Sequence, residues 1–191
     1  MNLIIYYIAT TIFLGSFGQR NTGNSSDNIA FLSTDTISAT RSSAQIKPFL
    51  ERDYFSKSDA ELILGEKASL SDSSSAIKKD TLEIKRAYTA NAVDLKTGKT
   101  GVIYFMIEEY SKESSAKEAY HFFKTANEKH EGVRTVYNMG DEAYFHSDGT
   151  NFYFVLVRKG KIMFRMKVNK ITSHTSLSGF NLVSKKMADA L

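Results

Sequence analysis

The sequence predicts an α+β fold, an antiparallel sheet of about five to six strands with three helices packed on it. Three observations carry that expectation. Several runs alternate apolar and polar residues and are joined by short glycine-containing turns, the signature of consecutive hairpins. Between and after these runs lie segments whose apolar residues recur at three- and four-residue steps, the signature of amphipathic helices. Both patterns begin only near Ile46, because the chain before it has another composition.

Residues Leu3 to Leu14, "LIIYYIATTIFL", form an uncharged and mostly apolar run followed by Gly15, Ser16 and Gly18. A membrane-spanning helix needs about 20 apolar residues, so this length fits the core of a secretory signal. Residues 1–18 therefore read as a signal peptide cut after Gly18, with Ser16 as the small residue near the cut, although no Lys or Arg precedes the run. The alternative is a buried N-terminal strand. Residues 19–45 are rich in Ser, Thr and Asn and poor in large apolar residues, so they read as a flexible linker that cannot offset its ordering entropy. Asn24-Ser25-Ser26 matches a glycosylation sequon, a short pattern that carries little weight in a Ser-rich stretch. With 191 residues in all, the remainder, 46–191, is expected to form a single α+β domain.

In that domain Ser58-Asp59-Ala60-Glu61 has the form of a capping box, Ala60, Ile63 and Leu64 share one helical face, and Gly65 can end the helix. Strand-like runs follow at Thr81 to Asn91 and Gly101 to Tyr110, joined through "DLKTGKTG". The second, "VIYFMI", is apolar at every position, which places it in the sheet interior with both faces covered. Ser111 to Lys129 carries Ala116, Ala119, Tyr120, Phe123 and Ala126 at helical steps. Strand patterns then occupy Val133 to Tyr137, Glu142 to His146, Asn151 to Arg158 and Lys161 to Val168, the last two joined by a tight Lys159-Gly160 turn. In the last strand Ile162, Phe164, Met166 and Val168 oppose Lys161, Met163, Arg165 and Lys167, the pattern of a half-buried strand. Leu177 to Leu191 closes the chain as a helix with Phe180, Val183, Met187 and Ala190 in its stripe.

One stretch asks to be read as a metal or acid/base site: "GDEAYFHSDG" packs Asp141, Glu142, His146 and Asp148 together. In an extended chain Glu142 and His146 share a face but stand about 13 Å apart, too far to hold one ion at bond lengths near 2 Å. Asp148-Gly149 is the dipeptide of a type I′ hairpin turn. Strand plus turn is the favoured reading, and a metal-dependent hydrolase or metal-binding protein with a site near Glu142 and His146 is the alternative. The histidines His121, His130, His146 and His174 have no zinc-motif spacing, and no nucleophile elbow, phosphate loop or dinucleotide fingerprint occurs. No catalytic residue and no cofactor is predicted. The complete absence of cysteine excludes disulfides, thiolate metal sites and cysteine nucleophiles.

Basic residues crowd the last hairpin: Arg158, Lys159, Lys161, Arg165, Lys167 and Lys170. On one solvent face beside Tyr153 they would bind an anionic ligand or a cell-envelope component. Against that stands the plainer role of edge lysines, which discourage strand-to-strand aggregation, and a net charge of only +4. Nucleic acid is disfavoured as a partner for an exported chain.

At "SKSDAELILGEKA" (56–68), "TGKTGVIYFMIEEY" (97–110) and "MGDEAYFHSDGTNFYFVLVRKGK" (139–161) the chain resembles bacterial exported proteins and lipoproteins of unknown function. These combine a D-A-E-x-I-L-G helix with a G-D-E-A-Y segment and a "VRKG" hairpin, and the resemblance runs from about Phe49 to the C-terminus. It implies an exported α+β module similar to sheet-and-helix domains of the PsbP/Mog1 type. Members often carry a lipidated cysteine and a cysteine pair, and this chain has neither. The expectation is a periplasmic or secreted, non-catalytic binding module without a transmembrane span in its mature form.

Overall fold

The structure, a computed structural model, describes Phe49, residues 52–78 and residues 81–191. The expected signal peptide (1–18) and linker (19–45) lie outside the described residues. The chain order is helix α1 (Lys57–Leu64), strands β1 (Ala68–Lys78), β2 (Thr81–Ala90) and β3 (Val102–Tyr110), helix α2 (Glu113–Asn127), strands β4 (Val133–Thr135), β5 (Glu142–Ser147), β6 (Phe152–Lys159) and β7 (Ile162–Asn169), and helix α3 (Leu177–Ala190). The seven strands form one antiparallel sheet in the order β1-β2-β3-β7-β6-β5-β4. The α+β class stands, with seven strands rather than five to six.

The additional strand is β1, "ASLSDSSSAIK", whose side chains beyond Ala68 are exposed or nearly so. It has no apolar alternation to reveal it, because its stability comes from the backbone ladder with β2, running from Ala68 opposite Ala90 to Lys78 opposite Thr81.

Directly paired residues share a face, so the register sorts the side chains. Ile84, Ile107, Phe164, Val157 and Ala143 make one row across the sheet. Beside it lie Phe105, Met166, Val155 and Phe145. Onto this face α1 places Ala60, Ile63 and Leu64, and α3 places Phe180, Val183, Met187 and Ala188, all buried. Phe55 stacks on Phe105 at 5.1 Å between ring centres.

The other face carries Met163, Leu156 and Tyr144, covered by Tyr120, Ala119 and Phe123 of α2. That cover corrects the half-buried reading of β7, since Met163, Arg165 and Lys167 are as enclosed as their apolar neighbours. Arg165 survives burial by lying over the Phe123 ring at 4.7 Å and reaching Glu108 Oε2 at 3.4 Å. Burial raises the Glu108 carboxyl above its usual range.

Local signals also moved. The capping box of α1 is formed by Ser56 and Asp59, two residues before the expected one: Ser56 Oγ accepts the Asp59 N–H at 3.2 Å, and Asp59 Oδ2 accepts the Ser56 N–H at 3.1 Å. Glu61 is released from capping and accepts the Ala68 N–H at 3.3 Å instead. Gly65 does end the helix, left-handed at φ 73°.

Candidate functional site

The acidic stretch folds into a fastening for the loop between β4 and β5. Arg158 of β6 is buried, with its Nε 2.6 Å from Glu142 Oε2 and a terminal nitrogen 3.0 Å from Asp141 Oδ2 and 2.9 Å from the Gly160 carbonyl. Asp141 Oδ2 also accepts the Gly160 N–H at 2.8 Å, and the Asp141 N–H donates to the Arg158 carbonyl at 2.9 Å. Gly140 allows this closeness: it sits at φ 65°, and a Cβ there would lie 2.6 Å from the Arg158 carbonyl oxygen. One guanidinium thus ties residues 140–142 to the β6–β7 turn.

Glu142 and His146 share a face with Tyr144 between them, and the structure does not bring them together. The imidazole near Glu142 belongs to His121 of α2, whose Nε2 is 3.4 Å from Oε1. His146 stacks instead on His130, with ring centres 5.9 Å apart and planes 6° from parallel, and it meets the Phe152 ring edge-on at 4.9 Å. Burial first, then the neighbouring His130, lowers its affinity for a proton. Asp148 stands in the β5–β6 loop as an anchor: its Oδ1 accepts the N–H groups of Thr150 at 3.0 Å and Asn151 at 2.7 Å. The loop is therefore four residues long, with positive φ at Gly149 but not at Asp148, rather than a two-residue type I′ turn. Among the described residues no group of three or more His, Asp or Glu side chains could hold a metal ion.

The basic hairpin is divided between the faces of the sheet. Arg158, Arg165 and Lys167 lie on the α2 side and are buried, and desolvation lowers the Lys167 amine's affinity for a proton. Lys167 Nζ stands 5.6 Å from the centre of the Phe152 ring. Lys159 and Tyr153 belong to the α3 side, where Lys159 Nζ donates to the Ala188 carbonyl at 3.2 Å and Tyr153 packs on Phe145 and Phe180. Lys161 in the turn pairs with Glu109 at 2.6 Å, and Lys170 is exposed after β7 at φ 64°. These six cations do not converge on Tyr153.

A concave site opens elsewhere, between the β4–β5 margin and α3. It encloses about 460 Å³, within the range of small-molecule sites. Its floor is apolar, from Val136, Met139, Phe145 and Val155. Polar groups enter from two elements: Arg134 of β4 on one side, and Asn181, Ser184 and Lys185 of α3 on the other. The guanidinium of Arg134 lies over the Phe145 ring at 4.7 Å, and among the described residues it has no carboxylate partner. Lys185 is held by Asp189 at 3.0 Å one helical turn on. The wall nearest β5 includes Met139, one residue before the Gly140 fastening. On the α2 side of the same loop, Tyr120, Lys124, Asn138 and Glu142 line a smaller cavity of about 200 Å³.

No protein-family model and no curated protein matches the chain. The cleft residues were not singled out by their sequence. Arg134, Asn181 and Lys185 form no motif, and nothing local in the sequence marks Arg134 as a binding residue. Their convergence depends on α3 crossing the sheet beside its shortest strand.

Proposed function

We propose that the protein is an exported, non-catalytic binding module whose ligand is a small anion with an apolar body, held in the cleft between β4–β5 and α3. The observation that carries this reading is the Arg134 guanidinium, poised over Phe145 at the mouth of an apolar-floored cleft with no carboxylate partner among the described residues. A carboxylate would meet the guanidinium fork in two parallel hydrogen bonds. Its apolar portion would cover Val136, Met139 and Val155 and displace water from them. Asn181 can donate through its amide, whereas Ser184 is buried and its hydroxyl proton is already given to the Phe180 carbonyl at 2.7 Å. The uncharged apolar run at residues 3–14 supports export. No described helix is long and apolar enough to cross a membrane.

Titrating the protein with decanoate, with decanol as the uncharged control, tests the proposal by nitrogen-15 NMR. Saturable shifts confined to residues 134–139, 145, 155 and 181–185 are expected for decanoate. Arg134→Met keeps the side chain's apolar length and removes its charge, and should weaken decanoate at least about tenfold, the worth of one charge-assisted contact. Equal binding of decanol, or unchanged affinity in Arg134→Met, would refute the reading.

A further inference from the structure

The two margins of the sheet are unlike. β4 is a strand of 3 residues, whereas β1 runs for 11, and among the described residues no strand pairs with its outer edge. Long edges are commonly guarded by proline, by several lysines or by a bulge. β1 has no proline and one lysine, and its irregularity lies between Leu70 and Asp72, so Asp72 to Lys78 is a regular stretch.

Hydrogen bonding shows which backbone groups of that stretch are unused. The Asn91 N–H donates toward β1, to Lys67, at 2.9 Å, and the Ala90 N–H donates the other way, to Gly101, at 2.9 Å. Antiparallel ladders alternate strictly. Ala87, Lys85, Glu83 and Thr81 therefore turn toward β1 and engage their partners Asp72, Ser74, Ala76 and Lys78. The N–H and C=O groups of Ser73, Ser75 and Ile77 point outward.

We propose that this edge is a homodimer interface, in which residues 72–78 pair antiparallel with residues 72–78 of a second copy about a two-fold axis through Ser75. In that register the outward residues meet one another, Ser73 against Ile77 and Ser75 against Ser75, and each such pair exchanges two backbone hydrogen bonds. The interface is isologous and closes at two chains. Charge selects the register. Asp72, which has no ion pair among the described residues, falls opposite Lys78 of the second copy, and the symmetry repeats the pair. Lys78 already contacts Glu83 Oε1 at 3.0 Å, but its side chain is 54% exposed and can serve both carboxylates. Moving the axis one residue to Ser74 sets Asp72 against Ala76 and loses both pairs. The exposed Ile77, 57% accessible, gains a neighbour in Ser73 of the second copy.

The chain contains no cysteine, so a single introduced thiol reports its own surroundings. Ser75→Cys in the full chain places two thiols on Cα atoms about 5.5 Å apart across the axis, within the span of a disulfide. Mild oxidation should cross-link it into dimers at least about tenfold faster than Ser69→Cys, which lies beyond the paired stretch. Sedimentation equilibrium of the unmodified chain should show reversible dimers. Asp72→Lys sets like charges directly opposite in two places and should raise the dissociation constant about tenfold. Ser75→Pro removes an outward N–H, not one bonded to β2, and should give monomers with an unchanged circular dichroism spectrum. Equal cross-linking rates for the two cysteine variants, or a dissociation constant unmoved by Asp72→Lys, would overturn the proposal.

Discussion

Replacing Arg158 by Met tests whether the acidic corner is a structural fastening. The side chain is 4% exposed and makes contacts of 2.6 Å to Glu142, 3.0 Å to Asp141 and 2.9 Å to the Gly160 carbonyl. A hydrogen bond to a charged group is worth about 1.5–3 kcal/mol. Full addition would overstate the loss, because Asp141 is 45% exposed and regains water when the cation is gone. Glu142, at 24%, regains less. The Gly160 N–H keeps its bond to Asp141, so the turn loses one partner rather than two. We expect a net loss of about 2–3 kcal/mol, below the roughly 3–5 kcal/mol of breaking a fully buried pair. For a domain of this size that lowers the melting temperature by about 5–10 °C. Urea unfolding followed by circular dichroism measures it, and amide exchange at Asn138 and Gly140 should accelerate as the loop loosens. A loss under about 0.5 kcal/mol, with exchange unchanged, would show that the guanidinium does not hold the loop.

Gly140→Ala should cost about 1–3 kcal/mol by calorimetry, since the residue sits at φ 65° and its new methyl would press on the Arg158 carbonyl. Ser56→Ala removes the acceptor for the Asp59 N–H at the start of α1 and should cost about 1 kcal/mol in urea unfolding. The His146 imidazole has a lowered proton affinity in the fold, so the unfolded chain binds the proton more readily. Stability from this group is complete above pH of about 6.5 and declines as pH falls from there toward the lower folded value. His146→Gln should flatten the stability profile below about pH 6.5, and an unchanged slope there would exclude His146 as its source.

The parts of the fold legible in the sequence are those where burial acts on a repeating pattern. The stripes of α2 and α3 and the alternation along β7 identify elements because one side of each must face the core. β1 escaped because a Ser-rich edge strand buries almost nothing and leaves no periodicity. The polar face of β7 reads as solvent-facing for a related reason: sequence shows what a side chain is, while the Phe123 ring over Arg165 comes from a helix far away in the chain. The "GDEAYFH" stretch was legible as a strand, with Glu142 and His146 held apart by its extended geometry. Its actual partners, Arg158 and His121, come from other elements. The cleft had no local signature, since Arg134 and α3 meet only once the sheet is complete.

The sheet is assembled from two runs of neighbouring hairpins, β1-β2-β3 and β4 to β7, and one long-distance seam, Val102 to Glu109 against Asn169 to Ile162, stitches them together. Each run can zip up locally, but the seam waits for the later run to be synthesised, and until then the greasy margin of β3 lies bare. A chain interrupted after β6 would keep that margin open, and its fate would be clumping rather than a smaller working protein.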